Sequence, residues 1–106
     1  MNMDNYVKQS LLYDFYGDLL TDHQKEIYGG YVMENLSLAE LAEESGISRQ
    51  GVHDIIKRCN QTLEGYEAKL HLVERFREIE ALVSGIEECA SLEEAKNLAA
   101  TIIDKL

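Results

Sequence analysis

This sequence predicts an all-α fold, and three observations carry that expectation. Its 106 residues include no Pro and no Trp, and no run is rich in β-branched residues. Glu, Leu, Ala and Lys dominate, as in chains built from helices. A Ser or Thr followed three residues later by Glu or Gln recurs at Thr21–Gln24, Ser37–Glu40 and Ser91–Glu94. That pairing marks a helix N-terminus, because each side chain satisfies the other residue's backbone donor. The length suits one domain with an appendage and a modest core that needs no staples.

Six helical segments follow in order. Asp4 is placed to cap the first, whose apolar residues Val7, Leu11, Leu12, Phe15 and Leu19 recur at helical spacing. Gly17 weakens its last turn. Thr21 opens a second helix running to about Glu34, with Ile27, Tyr28 and Tyr31 turned inward. Gly29 and Gly30 lie inside that helix at about 1 kcal/mol each relative to alanine, and a close helix crossing explains them better than a hinge. Ser37 opens the third helix and Ser48 caps the fourth.

The third and fourth helices read as a helix-turn-helix. Ala42 is small where two helices must cross, and Gly46 supplies a left-handed turn residue. Val52 then anchors the next helix, with Leu41, Ile47 and Ile55 filling the other interior positions. Ser48–Arg58 becomes the candidate recognition helix. The motif spans residues 37–59 within a domain of residues 1–65.

Residues 66–106 read as a helical dimerisation extension. One long helix is expected from Glu64 to about Cys89. It carries Leu63, Tyr66, Leu70, Val73, Phe76, Ile79, Val83 and Ile86 at intervals of three or four, broadened by Leu72 and Leu82. A final helix carries Leu92, Ala95, Leu98, Ala99, Ile102 and Leu106 on one face. The two form a hairpin whose apolar faces need covering. A second copy related by two-fold symmetry is the economical partner, through Leu70, Val73, Phe76, Ile79, Val83 and Ile86. The alternative is packing back onto the N-terminal helices.

Charge opposes the motif. The formal net charge is −10, whereas a dedicated DNA-binding domain is usually basic. Residues 1–36 carry two basic and six acidic side chains, and residues 64–106 carry five and ten. In the recognition helix, by contrast, Arg49, Lys57 and Arg58 oppose only Asp54. That surface can meet phosphates, although long-range steering of so acidic a chain toward nucleic acid is poor.

Enzymatic chemistry is not expected. His23, His53 and His71 are scattered, and only the Glu67–His71 and His71–Glu74 pairs share a helical face. Such pairs are ordinary surface contacts far more often than metal sites. No nucleophile–base constellation or phosphate-binding glycine loop is visible, and neither a metal nor a cofactor is expected. Cys59 and Cys89 lack metal-type spacing and read as reduced thiols. The six tyrosines read as packing residues rather than stacking platforms. With no membrane-length apolar run and no signal-peptide layout at the N-terminus, a cytoplasmic location without membrane insertion is expected.

Two resemblances rest on these residues. Leu20-Thr21-x-x-Gln24-x-Glu26-Ile27, Leu36-Ser37-x-x-Glu40-Leu41-Ala42 and Gly46-Ile47-Ser48-Arg49-x-x-Val52 resemble region four of bacterial sigma factors, which reads an upstream promoter element. The run Ser48-Arg49-Gln50-Gly51-Val52-His53-Asp54-Ile55-Ile56-Lys57-Arg58, followed by Leu63-Glu64-x-Tyr66-Glu67-x-Lys69-Leu70, resembles the YlxM-like family. These are small bacterial proteins similar to sigma region four without being sigma factors. The resemblance implies an all-helical regulatory protein serving the signal recognition particle pathway. Where promoter-reading modules often place arginines, this chain has Gly51 and His53, and Ser45 stands at a usually apolar turn position.

Two functional classes follow. In one, a dimeric regulator sets Ser48, Arg49, Gln50, His53, Lys57 and Arg58 against DNA or structured RNA. Arg49 and Gln50 lie nearest the base edges, with Lys57 and Arg58 on phosphates. In the other, the helix-turn-helix is a protein-interaction module, and the acidic remainder docks onto a basic partner such as a signal recognition particle component.

Overall fold

A computed structural model describes the backbone of residues 3–106 and the side chains from Asn5 onward. Among the described residues there are six α-helices and no strand. They are α1 (Met3–Tyr16), α2 (Asp22–Val32), α3 (Leu38–Ser45), α4 (Arg49–Leu70), α5 (Leu72–Glu88) and α6 (Leu92–Lys105). A short 3₁₀ turn, Gly17–Leu19, follows α1. The chain divides into two compact units, the first ending at Leu70 and the second running from His71 to Leu106. The first unit thus extends five residues beyond the boundary read from the sequence, because α4 continues without interruption to Leu70.

Local chemistry sets the helix ends. The boxes at Thr21–Gln24 and Ser37–Glu40 are both complete. The Gln24 N–H donates to Thr21 Oγ1 at 3.2 Å, and the Thr21 N–H donates to Gln24 Oε1 at 3.0 Å. At Ser37 the matching distances are 3.1 and 3.2 Å. Ser91 Oγ accepts from the Glu94 N–H at 3.2 Å, which is the hydroxyl half of its box. The capping role assigned to Asp4 falls on a side chain outside the described residues, and α1 already includes that position.

Helix α2 stops at Val32, earlier than expected. Asn35 adopts a left-handed backbone with φ 57°, and the Leu36 N–H closes the end by donating to Gly30 O at 3.0 Å. Gly46 does the same for α3, with φ 77° and its N–H on Ala42 O at 3.0 Å. The turn of the helix-turn-helix therefore sits where the spacing placed it.

The core of the first unit lies between α4 and the three helices before it. Helix α4 contributes Val52, Ile56, Cys59 and Leu63, and the earlier helices contribute Leu12, Tyr16, Ile27, Tyr28, Val32 and Leu41. Two details differ from the sequence reading. On α1 the buried residues are Leu12 and Tyr16, whereas Val7 and Phe15 are exposed and Leu19 is 58% exposed. The 3₁₀ turn changes the pitch after Tyr16, so Leu20 turns inward in place of Leu19. In the helix-turn-helix, Leu41 is buried as expected, whereas Ile47 and Ile55 are only half-buried.

Gly29 and Gly30 mark close crossings, as expected. A Cβ on Gly29 would stand 2.7 Å from Tyr13 Oη, and one on Gly30 would stand 2.8 Å from Leu41 Cδ2. Helix α2 is thus held tightly against α1 on one side and α3 on the other.

Tyrosines clasp α1 to the rest of the unit. The Tyr16 hydroxyl donates to Glu67 Oε1 at 2.6 Å, and the Tyr6 hydroxyl donates to Val32 O at 2.8 Å. Tyr13 stacks at a tilt on Tyr28, with ring centroids 5.8 Å apart, and Tyr16 does so on Tyr66 at 6.0 Å. The buried Tyr28 hydroxyl donates to Asn60 Oδ1, which also accepts from Gln9 Nε2 at 3.4 Å.

The long helix expected over residues 64–89 is two helices. His71 adopts a left-handed backbone, φ 57°, and interrupts the path between α4 and α5. The recognition helix correspondingly does not stop near Arg58. Its buried stripe continues through Cys59 and Leu63, and no proline intervenes to end it. In the second unit α5 and α6 pack as a hairpin, joined by Leu98 against Gly85 and by a 3.0 Å Lys105–Glu78 ion pair.

Two expectations follow. Gly46→Val should cost roughly 1–3 kcal/mol, because a β-branched residue is strained at positive φ. An unchanged urea midpoint would show that this turn does not need glycine. Burial pushes the Tyr28 phenol and the Cys59 thiol above their ordinary values. Both groups keep their protons in the folded state at a pH where the unfolded chain has lost them. Their contribution is full below their unfolded values and declines as pH rises from about 9 upward. Urea unfolding at pH 8 and pH 10.5 should show lower stability at the higher pH, and Tyr28→Phe should flatten that dependence.

Candidate nucleic-acid interface

Helix α4 directs one side into the core and another into solvent. Opposite the buried Val52 and Ile56, the residues Arg49, Gln50, His53, Asp54, Lys57 and Arg58 are all exposed. The structure therefore brings the predicted nucleic-acid residues together on the first three turns of one helix, which hold them rigidly. Ser48 lies at the mouth of that helix, with its O–H donor still available. Ser48 Oγ accepts from the Gly51 N–H at 3.0 Å, so its observed role is to cap the helix.

The centre of the exposed face belongs to Asp54. Gln50 Nε2 donates to Asp54 Oδ1 at 3.1 Å, and His53 Nδ1 lies 3.8 Å from the same oxygen. Sequence reasoning counted this carboxylate only as a charge. Arg49, Lys57 and Arg58 form no ion pair among the described residues. Three unpaired cations around one shared carboxylate leave the face positive on an otherwise acidic chain.

A third side of α4 was not foreseen. His53, Ile56, Lys57 and Asn60, spaced i, i+3, i+4 and i+7, line an open groove with Tyr31 of α2 and Leu38 of α3. Its volume is about 280 Å³. Asn60 Oδ1 is occupied by Tyr28 and Gln9, which leaves the two N–H donors of its amide as the polar group offered to the groove. Spacing alone contained the α4 half of this site. It became legible only once α4 was seen to continue past Arg58.

The residues assigned to dimerisation fall in both units. Leu70 ends α4 in the first unit, and the other five lie on α5. Val73 is buried within the chain itself, so its side chain is already covered. Ile79 and Ile86 are half-buried, while Phe76 and Val83 are exposed. Helix α6 buries none of its residues, and its Leu92, Ile103 and Leu106 are 71, 69 and 82% exposed.

No helix among the described residues is long and apolar enough to cross a membrane. No three His, Cys, Asp or Glu side chains among them converge to hold a metal ion.

Comparison with known proteins agrees with the helix-turn-helix fold. The UPF0122 family, described as "putative helix-turn-helix protein, YlxM / p13 like", matches residues 3–102. A UPF0122 protein of Caldanaerobacter subterraneus is 48% identical over 86 residues, covering 81% of this chain and 74% of the relative. One from Thermoanaerobacter is 51% identical over 76 residues, covering 72% of this chain and 65% of the relative. A third, from Clostridium kluyveri, is 44% identical over 105 residues, covering 98% of this chain and 93% of the relative. With the match spanning both the helix-turn-helix and the helical hairpin, the chain belongs to the UPF0122 family of YlxM/p13-like helix-turn-helix proteins.

Proposed function

We propose that this protein is a dimeric regulator that binds nucleic acid through the exposed face of α4. The observation that carries the reading is the cluster of Arg49, Lys57 and Arg58, unpaired and solvent-facing on one rigid helix opposite its buried side. Gln50 and His53 lie beside them with hydrogen-bonding groups suited to base edges. The YlxM-like resemblance supports service to the signal recognition particle pathway as the setting for this binding. A protein-only reading draws support from the −10 net charge, which suits a basic partner.

The second copy is argued from the hairpin. The hairpin is built from α5 and α6 packed side by side. Val83, Leu92, Ile103 and Leu106 leave apolar surface on both helices. A self-complementary two-fold contact covers it at the least cost in new surface.

Replacing Arg49, Lys57 and Arg58 together with Ala should abolish binding to duplex DNA and folded RNA while leaving the melting temperature unchanged. If all three contact phosphates, the wild-type slope of log affinity against log salt should be about −2.7 or steeper for duplex DNA, at about 0.9 per contact. Fluorescence titration across a salt series measures both, and binding indifferent to salt and to the triple substitution would reject this face. Light scattering at micromolar concentration should return twice the chain mass. Val83→Glu with Ile103→Glu should restore the monomer without unfolding it, because both sites are solvent-facing in the single chain. A monomeric wild type would reject the dimer.

A further inference from the structure

We propose that the groove between α2, α3 and α4 is a pocket for a single unstacked nucleobase, with the attached phosphate held at its rim. This deepens the nucleic-acid reading and rests on it. The preferred target becomes a strand with an unpaired base, such as a bulge or a loop, beside a duplex.

The chemistry of the lining carries the assignment. Ile56 and Leu38 supply apolar surface, and the Tyr31 ring supplies an aromatic face. Tyr31 makes no hydrogen bond or ring contact among the described residues, unlike Tyr6, Tyr13, Tyr16, Tyr28 and Tyr66. Aromatic faces of this kind are what splayed-out bases stack on. Asn60 adds polar selectivity. Its carbonyl accepts from two donors, so its N–H groups are left for an acceptor on the base edge. His53 and Lys57 are exposed and line the same groove, where a phosphate would follow the base. At about 280 Å³ the groove falls just below the roughly 300–1,000 Å³ of sites for drug-sized ligands, a size suited to one planar ring system. The groove is also continuous with the cationic face, since Lys57 and His53 belong to both.

The test compares four hairpins of one sequence: fully paired, bearing a one-nucleotide bulge, bearing an abasic residue at that bulge, and the bulged hairpin made as DNA instead of RNA. The wild-type protein should bind the bulged hairpin about ten-fold or more tightly than the paired one, given the strength of base stacking on an aromatic ring. The abasic bulge, which keeps the phosphate and loses the base, should return to the paired affinity. Tyr31→Leu should erase the preference while leaving affinity for the paired hairpin unchanged, and Tyr31→Phe should restore it. Whichever of RNA and DNA binds more tightly in the bulged form identifies the source of the base. Equal affinity for paired and bulged hairpins, or a preference that survives base removal, would overturn the pocket while leaving the cationic face standing. Absence of binding to every hairpin would overturn both readings.

Discussion

Helix α4 is the constraint on which the first unit depends. Its buried residues Val52, Ile56, Cys59 and Leu63 form the one stripe that α1, α2 and α3 all pack against. Burying four such side chains is worth several kcal/mol by area alone, and each preceding helix has its inward face defined by that surface. The steep turn at Gly46 delivers α3 onto it, and the side-chain-free backbone at Gly29 and Gly30 lets α2 approach α1 and α3 closely. Because the stripe occupies one side of α4 completely, the opposite side is left as a stiff, solvent-facing surface. The candidate interface is a consequence of the core.

A small buried polar cluster links core and surface. Tyr28 donates to Asn60 from a fully buried position, and burial holds its hydroxyl protonated as a donor. Gln9 adds a second donor to the same oxygen, while Gln9 Oε1 is buried without a hydrogen-bond partner among the described residues. Asn60 is thereby fixed at the edge of the groove by α1 and α2, neither of which belongs to the helix-turn-helix.

Charge is divided rather than balanced. Helix α3 carries Glu40, Glu43 and Glu44 with no basic residue, and α6 opens on Glu93 and Glu94. Against these, Arg49, Lys57 and Arg58 of α4 are grouped on a single face. An acidic body weakens non-specific attraction to phosphate backbones at long range, where screening leaves little field in any case. At contact distance the local cations dominate. On the proposed reading, such a charge layout favours discrimination by shape and local chemistry over bulk electrostatic affinity.

Capping boxes, helical spacing and the glycine turn are local, and the sequence alone determined them. The all-α class, the helix starts at Thr21, Ser37 and Ser91, and the left-handed Gly46 all lie where the residues place them. The grouping of Arg49, Gln50, His53, Lys57 and Arg58 on one face was equally legible, because it needs only the helical period. Tertiary structure decided what periodicity cannot. It continued α4 to Leu70 by burying Cys59 and Leu63, and it broke the next helix at His71 through a backbone conformation that a histidine does not announce. It chose Tyr16 over Phe15 for the core by offering Glu67 to the phenol, a partner 51 residues away. It also brought Tyr31 and Leu38 to Asn60, forming a groove from three helices. No spacing rule relates those positions, since only packing makes them neighbours.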